Sequence, residues 1–153
     1  MKSIFQKFAV FAVVLIITSC SSTPDEMDPL SPDPVSKVDP VGVILSIKEG
    51  MLMPQSGTNT TGMIELVSDE AGKYFLRLGN DFKSDFHTGT VTVYLSTSSK
   101  LQLSESGSFQ KVGIVNESGE HFFVLPNLPE SKFSHGIIWC GAAGIPFGYG
   151  SLN

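Results

Sequence analysis

The sequence predicts an all-β protein whose single folded domain, residues 42–153, is a small antiparallel β-sandwich or barrel-like domain. Apolar and polar residues alternate in several short segments, which is the period of a half-buried strand. Glycine and serine interrupt the chain at short intervals, and no long stretch after the first 41 residues has the apolar spacing of a helix. Roughly a hundred residues are enough for one hydrophobic core.

Four segments carry the alternation most clearly. They lie at residues 43–48, 64–66, 74–78 and 91–96. Glycines at turn positions predict two hairpins, one turning through residues 69–72 and the other through residues 116–119. The second hairpin would pair residues 111–115 with residues 121–125.

The beginning of the chain predicts an export signal. Two lysines precede an uncharged apolar run at residues 8–17, and small residues lead from it to Cys20. As a helix this run spans about 15 Å, half of the roughly 30 Å of a bilayer core, so it cannot anchor the chain by itself. Residues 17–20 (Ile-Thr-Ser-Cys) resemble a lipobox, which implies cleavage of a signal peptide, residues 1–19, and attachment of lipid, palmitate included, to Cys20. The alternative is an ordinary cleaved signal that ends by chance at a cysteine.

Residues 20–41 are predicted to be a linker. They contain five prolines, several acidic residues and few large apolar ones. A proline-rich chain extends by about 3.1 Å per residue, so this segment could hold the domain up to roughly 60 Å from a membrane. Simple disorder is the alternative and predicts a shorter reach.

The chain is acidic, and this limits its partners. The formal net charge is −5, and loss of the two signal-peptide lysines leaves eight basic residues against 15 acidic ones, or about −7. This balance argues against nucleic acid as a partner and against attraction to anionic lipid head groups. The lipid on Cys20 is therefore the predicted membrane contact, and an envelope protein or glycan is the other expected partner.

The residues after Cys20 bear on location. Ser21 stands where an aspartate would favour retention in the inner membrane, so resemblance to known sorting rules favours the outer membrane. Asp25, Glu26 and Asp28 resemble acidic surface-export signals. We expect a lipid-anchored protein of the bacterial cell envelope, with periplasmic and surface-exposed positions both open.

Cysteine usage singles out Cys140. With Cys20 used by lipid, Cys140 has no partner for a disulfide within its own chain. It is a small buried core residue, a redox-active thiol or a site of intermolecular pairing. Redox chemistry would require a thiolate that is partly exposed and stabilised by a nearby positive charge or ligand.

Three neighbours of Cys140 can be considered. His135 lies an odd number of residues earlier, so on one regular strand the two side chains point to opposite faces. His121 could reach the thiol only if their strands are neighbours in a suitable register. Trp139 is interpreted mainly as a core aromatic residue. The same interpretation applies to Phe122 and Val124.

The sequence lacks the motifs that would indicate metal binding, phosphate binding or hydrolysis. The three histidines have no metal-ligand spacing, and the order of histidine and cysteine differs from that of cupredoxins, so no metal site is predicted. The glycine-rich end lacks the lysine of a phosphate-binding loop, and tight turns and close packing explain its glycines better. No hydrolase nucleophile motif is present. No cofactor is evident, and we do not expect a self-contained enzyme.

The end of the chain resembles a known family. Ile137-Ile138-Trp139-Cys140, followed by Phe147-Gly148, is similar to the DM-thirteen family, a small extracellular domain often described as "electron transfer" and found in bacterial lipoproteins. Weaker matches extend the resemblance over residues 57–152. They lie at residues 76–78, 81–82, 91–96 and 125–126. The resemblance implies a β-rich domain with a redox role at Cys140. Whether an unknown redox cofactor takes part is left open.

Two functions remain open at this point. The first is an envelope lipoprotein whose domain has an accessory redox or electron-transfer role through Cys140. The second is a non-catalytic surface domain that binds a partner protein or glycan through its loops, with Cys140 filling the core.

Overall fold

The computed structural model describes residues 38–153, so the predicted signal peptide, Cys20 and most of the predicted linker lie outside the described residues. The described part contains nine strands and no helix. They are β1 (Leu45–Met51), β2 (Met53–Pro54), β3 (Met63–Ser68), β4 (Tyr74–Leu78), β5 (Val91–Ser96), β6 (Phe109–Val115), β7 (His121–Leu125), β8 (His135–Cys140) and β9 (Ile145–Ser151). Within residues 38–153, no helix has the length and apolar character needed to cross a bilayer.

The strands form two antiparallel sheets. One sheet has four strands in the order β1-β3-β4-β7, and the other has five in the order β2-β9-β8-β5-β6. Two sheets that bury their facing sides against each other form a small β-sandwich. The predicted fold class is confirmed.

The first two strands connect the sheets along one edge. Strand β1 pairs with β3 in the four-stranded sheet, whereas β2 pairs with β9 in the five-stranded sheet, and the buried Leu52 lies between them. The chain end closes the same edge, because Glu49 and Asn153 exchange backbone hydrogen bonds of 3.3 and 3.2 Å.

One of the two predicted hairpins is present. Strands β3 and β4 are joined by residues 69–73, which include the predicted turn, with Ser68 opposite Tyr74. Gly72 has a φ of 75°, which glycine adopts readily. The prediction of a second hairpin, between residues 111–115 and 121–125, is wrong. Strand β6 pairs with β5, and β7 pairs with β4, so the chain between them crosses from one sheet to the other. Residues 116–119 still turn there, and the N–H of Gly119 donates to the carbonyl of Phe82 at 2.9 Å.

The core lies between the sheets, and glycines of β8 and β9 bring the sheets close together. Gly136 and Gly150 are opposite each other, and a Cβ atom at either position would overlap the side chain of Ile64. At Gly148 a Cβ would lie 2.7 Å from Cγ2 of Thr60. The prediction that close packing explains these C-terminal glycines agrees with this geometry.

The predicted strand at residues 43–48 is present in part but exposes its apolar side. Strand β1 begins at Leu45, and Val41, Val43, Leu45 and Ile47 are all exposed. They lie within seven consecutive positions, where Gly42 with a φ of 69° and a bulge between Ser46 and Lys48 interrupt the extended chain. We call these four residues the apolar edge stripe.

Candidate functional site

Cys140 ends strand β8 inside the core. Its side chain has no solvent exposure and belongs to the main hydrophobic cluster. The Sγ atom lies 3.5 Å from Oγ1 of Thr88 and accepts the backbone N–H of Ala143 at 3.4 Å. The chain then turns tightly, and the N–H of Gly144 donates to the carbonyl of Cys140 at 2.9 Å. The thiol is therefore covered by the turn that follows it and by the loop that contains Thr88.

The predicted neighbours of Cys140 are not assembled around it. His121 begins β7 in the other sheet, where its ring stacks on Phe123 with 6.2 Å between centroids and its Nε2 bonds the carbonyl of Glu117 at 3.0 Å. Trp139 is adjacent in sequence but points to the opposite side of β8. The hydrogen-bond partners of Sγ among residues 38–153 are Thr88 and Ala143, and neither is charged.

Metal binding has no preformed site in the described part of the chain. Across residues 38–153, no three or more side chains of the types His, Cys, Asp and Glu are grouped so that they could hold an ion.

Trp139 lies outside the core, which corrects its interpretation as a core residue. Ile138 and Cys140 face the core, so alternation puts His135, Ile137 and Trp139 on the outer face of the five-stranded sheet. Trp139 is half-buried there. Phe122 and Val124 are corrected in the same way. They alternate with the buried Phe123 and Leu125, and they lie on the outer face of the four-stranded sheet.

Aromatic side chains surround Ile137 on this outer face. Tyr94 and Tyr149 flank Ile137 in register on the two neighbouring strands. Two strand spacings separate their backbones by about 10 Å. Ile137 is fully buried beneath these rings, although it lies outside the main core cluster. We define the aromatic face by these residues and by the rings next to them. They are Tyr94, Phe109, His135, Ile137, Trp139 and Tyr149.

The rings of the aromatic face contact one another. Tyr94 and Phe109 meet edge to face with centroids 5.9 Å apart, and His135 lies 6.2 Å from Tyr149. Edge-to-face pairs at this distance stabilise by about 0.5–1.5 kcal/mol beyond the apolar area that they bury. The face is therefore a packed surface and not a set of independent side chains.

Polar groups lie among these rings. The Nδ1 atom of His135 shares a hydrogen bond of 2.9 Å with Oγ of Ser134, and burial lowers the pKa of His135 from its ordinary value of 6.5. Burial raises the pKa of Tyr94, and a hydrogen bond with the side chain of Thr92 opposes part of this change. Lys111 lies opposite Tyr94 on β6. The face thus combines flat apolar rings with hydrogen-bonding groups, while His135 favours its neutral form.

The alternation of residues in β5 predicts that Tyr94 lies on the outer face. In β5 the apolar set Val91, Val93 and Leu95 alternates with Thr92, Tyr94 and Ser96, so Tyr94 stands at an outward position. The phase of β8 could not be assigned in the same way, because Ile137 and Ile138 are both apolar and buried.

The outer face of the four-stranded sheet has a different character. Arg77 lies between two carboxylates, at 2.8 Å from Oε2 of Glu65 and 2.6 Å from Oε1 of Glu120. Its guanidinium also lies 5.6 Å from the centre of the Phe122 ring. These groups satisfy one another, and this face presents an internal ion-pair network.

A carboxylate holds the start of the domain in place. Asp69 is buried and accepts the backbone N–H of Lys73 at 2.9 Å and that of Val41 at 3.1 Å. Desolvation raises the pKa of Asp69, but the backbone donors Lys73, Val41 and Ala71 and the charge of Lys73 outweigh it, so the pKa lies below its ordinary 3.8.

The fold and its surfaces define a small β-sandwich with a buried thiol and an outward aromatic face. Comparison with protein-family models, with curated proteins and with solved structures found no match to this chain. The resemblance to the DM-thirteen family stays a prediction.

Proposed function

We propose that this protein is a lipid-anchored protein of the bacterial cell envelope whose β-sandwich binds a glycan, without catalysis, on the aromatic face. The single observation that carries the binding proposal is the register of Tyr94, Ile137 and Tyr149, which aligns two tyrosines on either side of a buried isoleucine. Trp139 lies on the same face, two residues further along β8. Cys140 fills the core in this proposal.

The chemistry of a sugar fits such a surface. The C–H bonds on one face of a sugar ring carry partial positive charge, and the face of an aromatic ring carries partial negative charge. Sugar hydroxyls need hydrogen-bond partners, which His135 and the phenol groups of Tyr94 and Tyr149 can supply. Aromatic residues also lose little conformational entropy on binding, because they have few rotatable bonds.

Trp139 makes this proposal directly testable, because it is the only tryptophan of the chain and lies on the proposed site. Titration with peptidoglycan fragments and with neutral oligosaccharides should change its fluorescence in a saturable way. A Tyr149→Ala substitution should weaken binding about tenfold, since stacked aromatic groups contribute on the order of 1–3 kcal/mol. Phe122→Ala on the opposite sheet is the matched control and should bind like the unchanged protein. Equal weakening by both substitutions, or no saturable signal with any glycan, would contradict the assignment.

The anchor has its own test. Cys20→Ser should move the protein from the membrane fraction to the soluble fraction and remove the acyl mass from the mature chain. Separation of inner and outer membranes then tests the predicted outer-membrane location. A protein that stays in the membrane without Cys20 would contradict the lipoprotein proposal.

A redox role for Cys140 is the second candidate, and one observation favours it. The backbone N–H of Ala143 donates to Sγ at 3.4 Å, which gives the sulfur a hydrogen-bond donor from the turn that follows it. Alkylation of the native protein, followed by intact mass against pH, separates the candidates. Rapid modification well below pH 8.5 supports a redox thiol, and protection until the protein unfolds supports a core residue.

A further inference from the structure

Among residues 38–153, the apolar edge stripe has no covering partner that would account for its apolar character. The side chains of Val41, Val43, Leu45 and Ile47 are 57, 60, 61 and 42% exposed. They fall within seven consecutive positions at the start of the domain, although the positive φ of Gly42 and a bulge between Ser46 and Lys48 interrupt the regular alternation there. Contiguous exposed apolar groups of this kind mark an interaction surface more often than scattered single residues do.

The stripe is held at a defined position. Its first residue, Val41, donates its N–H to Asp69 and accepts the N–H of Glu70 at 3.1 Å. The next residue, Gly42, lies so close to the carboxylate of Glu70 that a Cβ there would overlap it. From Leu45 onward the chain is paired with β3. These contacts hold the backbone of this segment against β3 and the turn at residues 69–72.

The length and end of the preceding chain indicate what covers the stripe. Cys20 lies 18 positions before Val38, and the chain passes from Val38 directly into the stripe. Fully extended, this connection spans about 60 Å, so the domain always lies within reach of the bilayer that holds its lipid. Tethering raises the effective concentration of that surface, and a small apolar contact is then sufficient.

Other occupants fit less well. Residues 21–37 are rich in proline and acidic residues, and their few apolar side chains are isolated from one another. A second copy would carry the same net charge of about −7 and bring the Glu49 and Glu70 carboxylates of both copies together. A zwitterionic lipid surface imposes no such repulsion.

We infer that the apolar edge stripe rests on the membrane surface, with Val43 and Leu45 at the boundary of head groups and acyl chains. This inference rests on the proposed lipid anchor. It orients the domain, because the turn at residues 69–72 then lies near the membrane and the turn at residues 141–144 lies at the far end. The attraction is apolar, so it requires no anionic lipid and resists salt.

The test uses the mature lipoprotein reconstituted into phosphatidylcholine vesicles. An environment-sensitive fluorophore is attached through Val43→Cys, and intact mass confirms a single label beside the buried Cys140. The matched control is Ile145→Cys, an exposed apolar position at the opposite end of the sandwich. We expect brominated phosphatidylcholine to quench the probe at position 43 roughly twofold while leaving position 145 unchanged, in low and high salt alike. Leu45→Ser with Ile47→Ser should reduce the quenching.

Flotation with the vesicles tests the lipid anchor, and quenching at position 43 tests the membrane contact of the stripe. A chain that does not float with vesicles overturns the proposed anchor and the inference with it. A chain that floats but shows no quenching at position 43, or equal quenching at both positions, overturns the inference alone. A blue shift at position 43 that grows with protein density and is insensitive to brominated lipid identifies a second copy as the occupant, which also overturns it.

Discussion

Gly136 and Ile64 meet across the two sheets, where the missing side chain of the glycine leaves the space that the buried isoleucine fills. Glycine inside a strand weakens it in isolation, because it has more conformational freedom to lose and no side chain to pack. Here that loss is offset by a closer approach of the sheets, which increases packing contacts in the core.

Gly136→Ala should therefore destabilise the domain by about 1–3 kcal/mol, because the added methyl group overlaps Ile64 in a region that has no free volume. Urea unfolding measures the change. Gly141→Ala is the control, since a Cβ there would make only an ordinary contact with the carbonyl of Thr90 at 3.6 Å. Adding Ile64→Val to Gly136→Ala should recover part of the loss, and a double variant no better than the sum of both changes would contradict the packing explanation.

The Arg77 network should be sensitive to loss of its cation. The Glu65 side chain is only 8% exposed, so Arg77→Met leaves a carboxylate nearly buried and unpaired and should reduce stability by about 1–3 kcal/mol. Glu65→Gln in the same background should restore part of it. The exposed pair of Lys132 and Glu130 is the comparison, and Lys132→Met should change stability by less than about 1 kcal/mol. Similar effects at both sites would show that burial of Glu65 has no energetic consequence.

His135 should make the domain less stable in mild acid. Burial lowers the pKa of His135 below 6.5, so the folded protein favours the neutral ring. The stabilisation that the neutral ring of His135 gives the folded state is intact above about pH 6.5 and is lost as the pH falls through the folded pKa. Histidine NMR signals should give a midpoint for His135 below that of the urea-unfolded chain. His135→Gln should make stability less dependent on pH between about 7 and 5. An equal midpoint in both states would rule out this contribution.

The Asp69 carboxylate should hold the backbone at Val41 in place, and this effect should be lost in acid. Its pKa is lowered in the folded state, so its contribution is present above about pH 4 and is lost as the pH falls through the folded pKa. Asp69→Asn should speed amide exchange of Val41 and Lys73 on the order of tenfold, because the charged acceptor of both N–H groups is removed. Asp85→Asn is the control, since Asp85 accepts the N–H of Asn59 in an exposed loop. Unchanged exchange at Val41 would mean that the carboxylate does not hold the chain.

The comparison of the two predicted hairpins shows what local signals can decide. Both carry a glycine with a positive φ, and the chain changes direction at both places. Only the turn at residues 69–72 joins strands of the same sheet, since the chain at residues 116–120 passes between sheets. Turn chemistry depends on neighbouring residues, whereas strand pairing depends on which strands already occupy each sheet edge. The positions of Trp139 and Phe122 illustrate the same limit, because alternation defines two faces without saying which one is covered.

The amino-acid sequence by itself determined that this is an all-β domain with short strands, an isolated thiol and an acidic charge, because strand period, turn residues and composition are local properties. The tertiary structure alone decided that Cys140 is buried, that His121 lies in the other sheet, and that Tyr94, Trp139 and Tyr149 share one outer face. These relations depend on which strands pair and which faces meet. Those choices minimise the exposed apolar surface of the whole chain, and no single segment contains them.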